Sequence, residues 1–491
     1  MPLIRAVAGV AVAVVVFQTP RFEPIQPELF AAGANLVNAF ADIEGDGDLD
    51  VYVGFSGTAN RLYRNDAGTF VDVAPAAGLG EARATRAAAW GDPDADGDPD
   101  LAVGFAPAAA PGTGSVLKLF RNARGSFSDV TAESGLETTG GAVRQMAWID
   151  VEGDGDVDLF VAFRDRANAL FRQDAGKFTD VAGALGLADA RKSVGAVWFD
   201  YDEDGDLDLY VANMDGDANG LFKNDAGRFT DVAEAAGLQW GGRAPREATN
   251  GTVRPCAADV DNDGHVDLFM ANYGPNGLFL NRGRGRFEDV SAAWGIAIDG
   301  RYDACAFADI DHDGRVDLYV NGTVTGGTSY RDYLFRQSGG RFEDVTPENI
   351  KSLQADHGVH WADVDRDGDL DLALTGSRAD GMHSILRNML AAADARRSLQ
   401  VRVQDVRGRA RFAGAEVCVF AAGTSQRLGC RLVDSGSGYN TQNDMPVHFG
   451  LPSTGRVDVV VTPRQPGLPV ARANGIDPAR HAGGSLIVTL R

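Results

Sequence analysis

The apolar residues of this chain fall in short runs separated by turn residues, and the same order of runs returns about every fifty residues. Around residue 200 one unit reads as an apolar run ending in Trp198, an acidic loop, the strand pattern Leu207-Asp208-Leu209-Tyr210-Val211, a third run Leu221-Phe222-Lys223-Asn224, a Gly-containing turn, and Phe229-Thr230-Asp231-Val232. Two period-2 runs around a tight turn are a hairpin signature, so each unit predicts four antiparallel strands. Phe70, Phe127, Phe178, Phe229, Phe287 and Phe342 open the fourth strands. A lone four-stranded unit leaves its faces bare, so the units must stack around an axis; seven of them predict an all-β, seven-bladed β-propeller. Aromatic residues stand two positions before most acidic loops, as Phe40, Trp90, Trp148, Trp198, Phe307 and Trp361, with Ala257 the exception, and are expected to pack between blades.

The acidic loop itself is a nine-residue pattern, Asp-x-Asp/Glu-x-Asp-Gly-x-apolar-Asp, with Pro99 in one copy at the apolar position. Its seven copies start at intervals of 50, 58, 50, 59, 50 and 54 residues. Carboxylates at positions 1, 3, 5 and 9 suit Ca²⁺, a hard cation that takes six to eight oxygens, and Gly at position 6 permits the sharp bend. The candidate ligands at positions 1, 3, 5, 7 and 9 are Asp42, Glu44, Asp46, Asp48 and Asp50; Asp92, Asp94, Asp96, Asp98 and Asp100; and Asp150, Glu152, Asp154, Asp156 and Asp158. The next two loops offer Asp200, Asp202, Asp204, Asp206 and Asp208, then Asp259, Asp261, Asp263, His265 and Asp267. The last two offer Asp309, Asp311, Asp313, Arg315 and Asp317, then Asp363, Asp365, Asp367, Asp369 and Asp371. Because His265 and Arg315 occur at position 7, that position is expected to give its backbone carbonyl and turn its side chain to solvent. Glu44 and Glu152 replace Asp at position 3, which marks those two loops as the weakest. No Glu stands at position 12 and strands flank the loop, so the pattern is not an EF-hand. Up to seven Ca²⁺ ions are expected.

Composition narrows the partners. A formal charge of −23 argues against nucleic acid, which needs a basic surface. Twenty-eight carboxylates sit at positions 1, 3, 5 and 9 alone, so much of the acidity belongs to the loops. Residues 1–20 read as a secretory signal, with a basic start and an apolar run from Ala6 to Phe17 too short to span a bilayer; an uncleaved anchor or a buried first strand is the alternative. No other segment approaches membrane-spanning length. The expected location is secreted, periplasmic or at the cell surface. The propeller is expected over 21–388, a linker over 389–397 and a small β domain over 398–491.

The repeats resemble the FG-GAP-like (VCBS) calcium repeats of the integrin α-subunit type of propeller. The C-terminal part resembles the ASPIC/UnbV domain through Asp434-Ser435-Gly436-Ser437-Gly438-Tyr439, Gln442 and His448-Phe449-Gly450-Leu451. Val461-Thr462-Pro463-Arg464 stands where such domains usually carry Trp-Pro-x-Gly. The combination is similar to the cartilage acidic protein family. This resemblance implies calcium-dependent extracellular binding or adhesion and does not imply an enzymatic activity; the expected partner is an extracellular protein or glycan.

Four further expectations can be set against the structure. The seventh repeat lacks a fourth strand while Phe22-Glu23-Pro24-Ile25 stands alone ahead of the first, so the N-terminal segment should close blade seven. Cys418 and Cys430 flank a turn symmetrically and should form a cross-strand disulfide, whereas Cys256 and Cys305 are expected to be two buried thiols more readily than a bridge. The metal loops and tight turns share one rim, so a partner is expected on the other, near residues 104–115, 238–254 and 321–333, at Trp240, Arg243, Arg246, Tyr330 and Arg331. The competing function is a polysaccharide-active lyase or hydrolase, for which His357 and His360 are the available acid–base groups; no nucleophile or carboxylate partner for them is apparent in the sequence.

Overall fold

The structure, a computed structural model, describes residues 19–107, 115–245, 249–353, 356–378 and 382–491. The N-terminal signal expectation therefore lies almost wholly outside the described residues, as do Arg246 and most of the 104–115 loop. No helix among the described residues is long and apolar enough to cross a membrane.

Seven antiparallel blades surround an axis. The innermost strands are Asn35–Ala41, Thr85–Gly91, Val143–Ile149, Ser193–Phe199, Gly251–Ala258, Asp299–Ala308 and Asp356–Ala362, each followed outward by its hairpin partners. The second strands, such as Asp158–Phe163 and Asp208–Asn213, are buried at every residue, because neighbouring blades cover both faces. The N-terminal strand Phe22–Pro24 pairs antiparallel with Ser384–Asn388 and forms the outer edge of blade seven, so the ring closes with strands from both ends of the repeat array. Pro24 costs no ladder bond there, since an outermost strand has one free side.

The loop-entrance aromatics pack between blades, with the Trp90 and Trp148 indole N–H groups donating to Ala39 O at 3.0 Å and Ala89 O at 3.2 Å on the preceding blade. After the fourth strand, blades one, two and three add a single helical turn, Ala74–Ala77, Thr131–Ser134 and Ala182–Leu185. Strand reading did not anticipate these turns. Each ends on a left-handed glycine, Gly78, Gly135 or Gly186, a helix C-terminal signal that was present in the sequence.

The C-terminal segment is a sandwich. One sheet joins Val447–Gly450, Ser398–Asp405 and Ser485–Leu490; the other joins Arg427–Leu432, Glu416–Ala421, Val457–Thr462 and Ala471–Ile476. Here burial alternates residue by residue along Ser398–Asp405 and Val457–Thr462, as in strands with one face on a core and one outward. The segment read as a linker contains a helical turn, Ala392–Ala395.

Cys418 and Cys430 are direct partners in the sandwich register and are bridged. Cys256 and Cys305 are bridged as well, which corrects the expectation of free thiols. Adjacent first strands converge on the axis, and this brings the two Cα atoms to 6.2 Å, within the span a disulfide needs.

Candidate functional site

In the first loop, the position-1 carboxylate of Asp42 accepts N–H bonds from Gly45 at 2.8 Å, Asp46 at 3.1 Å and Gly47 at 2.8 Å, and so curls the chain around itself. Equivalent bonds to position 1 occur in all the other loops, from Gly97, Gly155, Gly205, Gly264, Gly314 and Gly368. The position-6 glycines have φ from +89° to +104°, where a side chain is strained. Position 4 is also left-handed in every copy, although Ala95, Glu203, Asn262, His312 and Arg366 occupy it in five of them. That requirement was not legible, since only Gly45 and Gly153 announce it.

Position 9 is the hub. One oxygen of Asp50, Asp100, Asp158, Asp208, Asp267, Asp317 and Asp371 accepts the backbone N–H of Asn65, Asn122, Gln173, Asn224, Asn281, Gln337 or Asn388 on the third strand, at 2.7–2.9 Å. The other oxygen takes the position-2 N–H, except in loop two, where Pro93 has none to give. In six blades the side chains of those same third-strand amides cross to the neighbouring blade, whereas Asn224 donates to Leu207 O of its own loop. Asn122 donates to Ile43 O at 2.9 Å, Gln173 to Pro93 O at 2.7 Å, Asn281 to Tyr201 O at 2.8 Å, Asn388 to Ile310 O at 3.1 Å, and Asn65 closes the ring on Val364 O at 2.7 Å. One residue thus ties its own loop to the loop of the blade before.

The residue ahead of that amide is basic in six blades, and sequence reading assigned it no role. Arg121 Nε lies 2.7 Å from Asp94, Arg387 Nε 2.7 Å from Asp365, and Lys223 bridges Asp202 and Asp204, all at loop positions 3 or 5. Blade five has Leu280 at that point, and Arg282 takes over with 2.6 Å to Asp261. The signal was the recurring basic-amide pair in Tyr/Phe-Arg-Asn/Gln.

The donor set fits a cation. Two oxygens on one Ca²⁺ at about 2.4 Å lie no more than about 5 Å apart. Carboxylate oxygens of Asp92, Asp94 and Asp96 meet that limit, all lying within 4.8 Å of one another, as do those of Asp200, Asp202 and Asp208, of Asp259, Asp261 and Asp263, and of Asp309, Asp311 and Asp317. In loop seven, Asp363 Oδ1, Asp365 Oδ1 and both oxygens of Asp369 are buried without a hydrogen-bond partner. Unpaired buried carboxylate oxygens are costly unless a positive charge meets them. Burial, reinforced by Asp367 and Asp365, pushes Asp363 up to about 7, and burial with Asp367 pushes Asp369 up to about 8. Asp369 and Asp48 also correct the expectation that position 7 turns to solvent: at 0% and 6% exposure both carboxylates lie inside. His265 does turn away from the ligand set, onto Glu203 of the neighbouring loop, whereas Arg315 folds back onto Asp313, the position-5 carboxylate of its own loop.

The sandwich sits on this rim. Arg411 reaches Asp150 Oδ2 at 2.7 Å, Arg464 reaches Asp200 Oδ2 at 3.0 Å, and Gln400 donates to Asp363 Oδ2 at 2.8 Å. Arg464 belongs to the stretch that departs from Trp-Pro-x-Gly, and it also pairs with Glu416 inside the sandwich. His448 meets Gly368 O at 2.9 Å, and a Cβ on Gly450 would strike Asp309. Among the described residues, no hydrogen bond or ion pair runs from the sandwich to loops one and two.

Residues 434–444 leave the sandwich as a finger and enter the axial channel. Ser435 Oγ donates to Trp198 O at 2.6 Å, Gln442 Nε2 to Trp148 O at 3.0 Å, and Arg254 Nη2 to Ser437 O at 2.7 Å; Thr441–Gln442 pairs with the first strand of blade two. His360 is held by the same finger, through Thr441 Oγ1 at 2.7 Å and Asn443 Nδ2 at 3.0 Å, and burial with the nearby Arg254 lowers it to about 3. It is a buried imidazole with both ring nitrogens engaged by the finger. His357 has the carboxylate partner that the sequence did not reveal, Asp303.

On the opposite rim the partner candidates separate. Arg243 is 3% exposed and donates to Asp217 O and Thr252 Oγ1, so it is a structural residue; its guanidinium also covers Trp240 at 5.3 Å. Tyr330 is half-buried where a short hairpin returns, and Arg331 is exposed, stacked 3.9 Å over Tyr333 and paired with Asp344.

The model described as FG-GAP-like repeat matches residues 42–103, 150–211, 200–268, 259–320 and 323–374, together more than half of the chain. The chain is similar to cartilage acidic protein 1 of Xenopus tropicalis, 26% identical over 336 residues that cover 63% of this chain and 49% of that protein. It is also similar to cartilage acidic protein 1 of Homo sapiens, 24% identical over 372 residues, 70% of this chain and 54% of that one. The chain spans about half the length of the curated relatives it matches. Similar solved structures include a lectin of Agrocybe aegerita that recognises non-reducing terminal N-acetylglucosamine, with a TM-score of 0.39, 16% identity, and coverage of 73% of this chain and 90% of that one. Another is a rhamnogalacturonan lyase of Bacillus licheniformis, with a TM-score of 0.39, 13% identity and 75% of each chain.

Proposed function

This chain belongs to the FG-GAP-like repeat family, and from that premise we propose that it is an extracellular calcium-binding propeller that acts as a non-enzymatic binding or scaffold protein. The observation that carries the reading is the set of buried carboxylate oxygens in loop seven without a partner, in a loop whose backbone cage recurs in all seven blades. Positions 1, 3, 5 and 9 would hold each ion with side-chain oxygens, and position 7 would give its carbonyl, joined in loop seven by the inward carboxylate of Asp369. The bound Ca²⁺ would supply charge neutralisation, and the loops would fix its cage by the N–H bonds to positions 1 and 9.

Two disulfides support an oxidising compartment, where Ca²⁺ is also plentiful. The far rim, with Trp240, Tyr330 and Arg331, is the surface left for a protein or glycan partner once the sandwich has covered the loop rim. The enzyme reading loses His360 to the finger and keeps one imidazole. If each loop binds with a dissociation constant of roughly 0.1 mM, about 1 mM Ca²⁺ stabilises the fold by about 1.4 kcal/mol per site. Metal analysis and calcium titration of the full chain test this directly. Several ions per chain are expected, and a metal-free chain with an unchanged melting curve would overturn the assignment.

A further inference from the structure

Every first strand carries a β-bulge near its start, at the end away from the metal loops. Pairing with the second strand slips between Asn35 and Val37, Thr85 and Ala87, Val143 and Gln145, Ser193 and Gly195, Thr252 and Arg254, Tyr302 and Ala304, and Asp356 and Val359. The residues stepped over are Leu36, Arg86, Arg144, Val194, Val253, Asp303 and, in a wider slip, His357 with Gly358. A bulge re-aims a side chain out of the regular ladder, and on innermost strands the axis is where it can point.

The convergence is visible in what these residues meet. Leu36, Val194 and Val253 share one packed cluster with Tyr439, at the turn of the finger. The His357 ring lies 5.2 Å from the Tyr439 ring. Asn440, next to Tyr439, donates to Arg86 O at 3.0 Å. Arg86, Arg144 and Asp303 all act on the Tyr439 hydroxyl electrostatically. The finger therefore makes the floor of a cup at the far mouth of the channel, and the bulges make its wall.

The wall's charges do not balance. Asp303 is taken by His357, and it is further bonded by Thr323 and Tyr273. Arg86 and Arg144, side by side on blades two and three, have no ion pair or hydrogen bond to either guanidinium among the described residues, and Arg86 Nε is shielded from solvent without a partner. The acidic neighbour of Arg144, Asp165, uses a carboxylate oxygen to accept the Ala142 N–H at 2.7 Å. Two part-buried guanidinium groups that repel each other in so acidic a chain are a poor structural choice and a good anion clamp, since their planar donor forks match a carboxylate.

We propose that the far mouth of the axial channel is a binding subsite for a carboxylate-bearing ligand, clamped by Arg86 and Arg144 above Tyr439. Leu36, Val194 and Val253 lie buried beneath it, packed with Tyr439, and hold that floor in place. Asp303, across the cup, favours a single negative charge over a dianion. The proposal deepens the binding reading above, and it fails separately, because the metal loops lie at the other end of each strand.

The test uses the calcium-loaded full chain with three probes, sodium glucuronate, N-acetylglutamate and inorganic sulfate, followed by ligand-observed saturation-transfer NMR. Saturable binding of a carboxylate probe is expected, weakened about tenfold or more in Arg86→Gln and again in Arg144→Gln, since a charged hydrogen bond is lost each time. Glucuronate alone would assign a sugar acid and N-acetylglutamate alone an acidic peptide. Sulfate bound more tightly than both carboxylates, no saturable binding, or binding unchanged in the double variant would each overturn the proposal. Arg86→Lys and Arg144→Lys keep the charge and remove the fork, so a weakened but folded pair secures the conclusion if the Gln variants do not fold. Calcium stoichiometry on the same samples reports the loops: unchanged stoichiometry with lost carboxylate binding is the expected signature of a clamp residue.

Discussion

Each first strand of the propeller begins at a bulge and ends in an aspartate loop, and the seven copies differ at the first while agreeing at the second. At the loop end, position 1 must accept several backbone N–H groups, position 6 must be left-handed, and position 9 must bridge the loop to the third strand, so Asp, Gly and Asp recur without exception. At the bulge end, no backbone group depends on the side chain, and Leu36, Arg86, Asp303 and His357 are equally admissible. Repetition in this molecule therefore marks what holds the blade together, and variation marks the residues free to meet something else. The sandwich underlines the difference: it binds to the repeated end, through Arg411, Arg464 and Gln400, and reaches the varied end only with the turn of its finger.

The comparison breaks most easily if the loop rim is not a metal rim. Seven sites at about 1.4 kcal/mol each amount to about 10 kcal/mol at about 1 mM Ca²⁺, as large as the net stability of a typical domain. Excess EDTA should then lower the melting temperature steeply, with Mg²⁺ restoring little because it demands a tighter octahedron; calorimetry in the two metals decides it.

Next in size is Asp208→Ala, which removes both a proposed ligand and the acceptor of the Tyr201 and Asn224 N–H groups. The expected loss is about 2–4 kcal/mol, one calcium site plus unpaired buried donors, with stoichiometry lowered by one in a titration. Arg315→Ala, at position 7 of its loop, should leave the stoichiometry unchanged.

A pH series sharpens the contrast. Burial pushes Asp50 up to about 7 and Asp100 and Asp208 up to about 8 in the folded chain. Raised carboxyls bind protons that the unfolded chain releases, so their contribution in EDTA is full below about pH 4 and is lost as pH rises through 7–8. The metal-free chain should melt higher at pH 6 than at pH 9, and in saturating Ca²⁺, where protons compete with the ion, the order should reverse. Smallest of all, Arg331→Ala on the far rim should cost less than about 1 kcal/mol, because its pair with Asp344 is exposed, and should leave calcium binding as it was.

Blade number, strand order and the positions of the seven acidic loops were legible in the sequence because each follows from local chemistry repeated seven times. The closing strand at Phe22–Pro24 was legible for the same reason, as the one piece missing from the seventh copy. What the repeats left open were contacts between residues far apart in the chain. Arg243 reads as a surface residue until a neighbouring turn folds over it. His357 reads as isolated until blade six brings Asp303 beside it, and Cys256 and Cys305 become partners because adjacent strands lean together at the axis. A repeat fixes the period of a blade through interactions a few residues long, whereas the angle at which blades meet, and so which side chains share the channel, is set by packing over the whole ring.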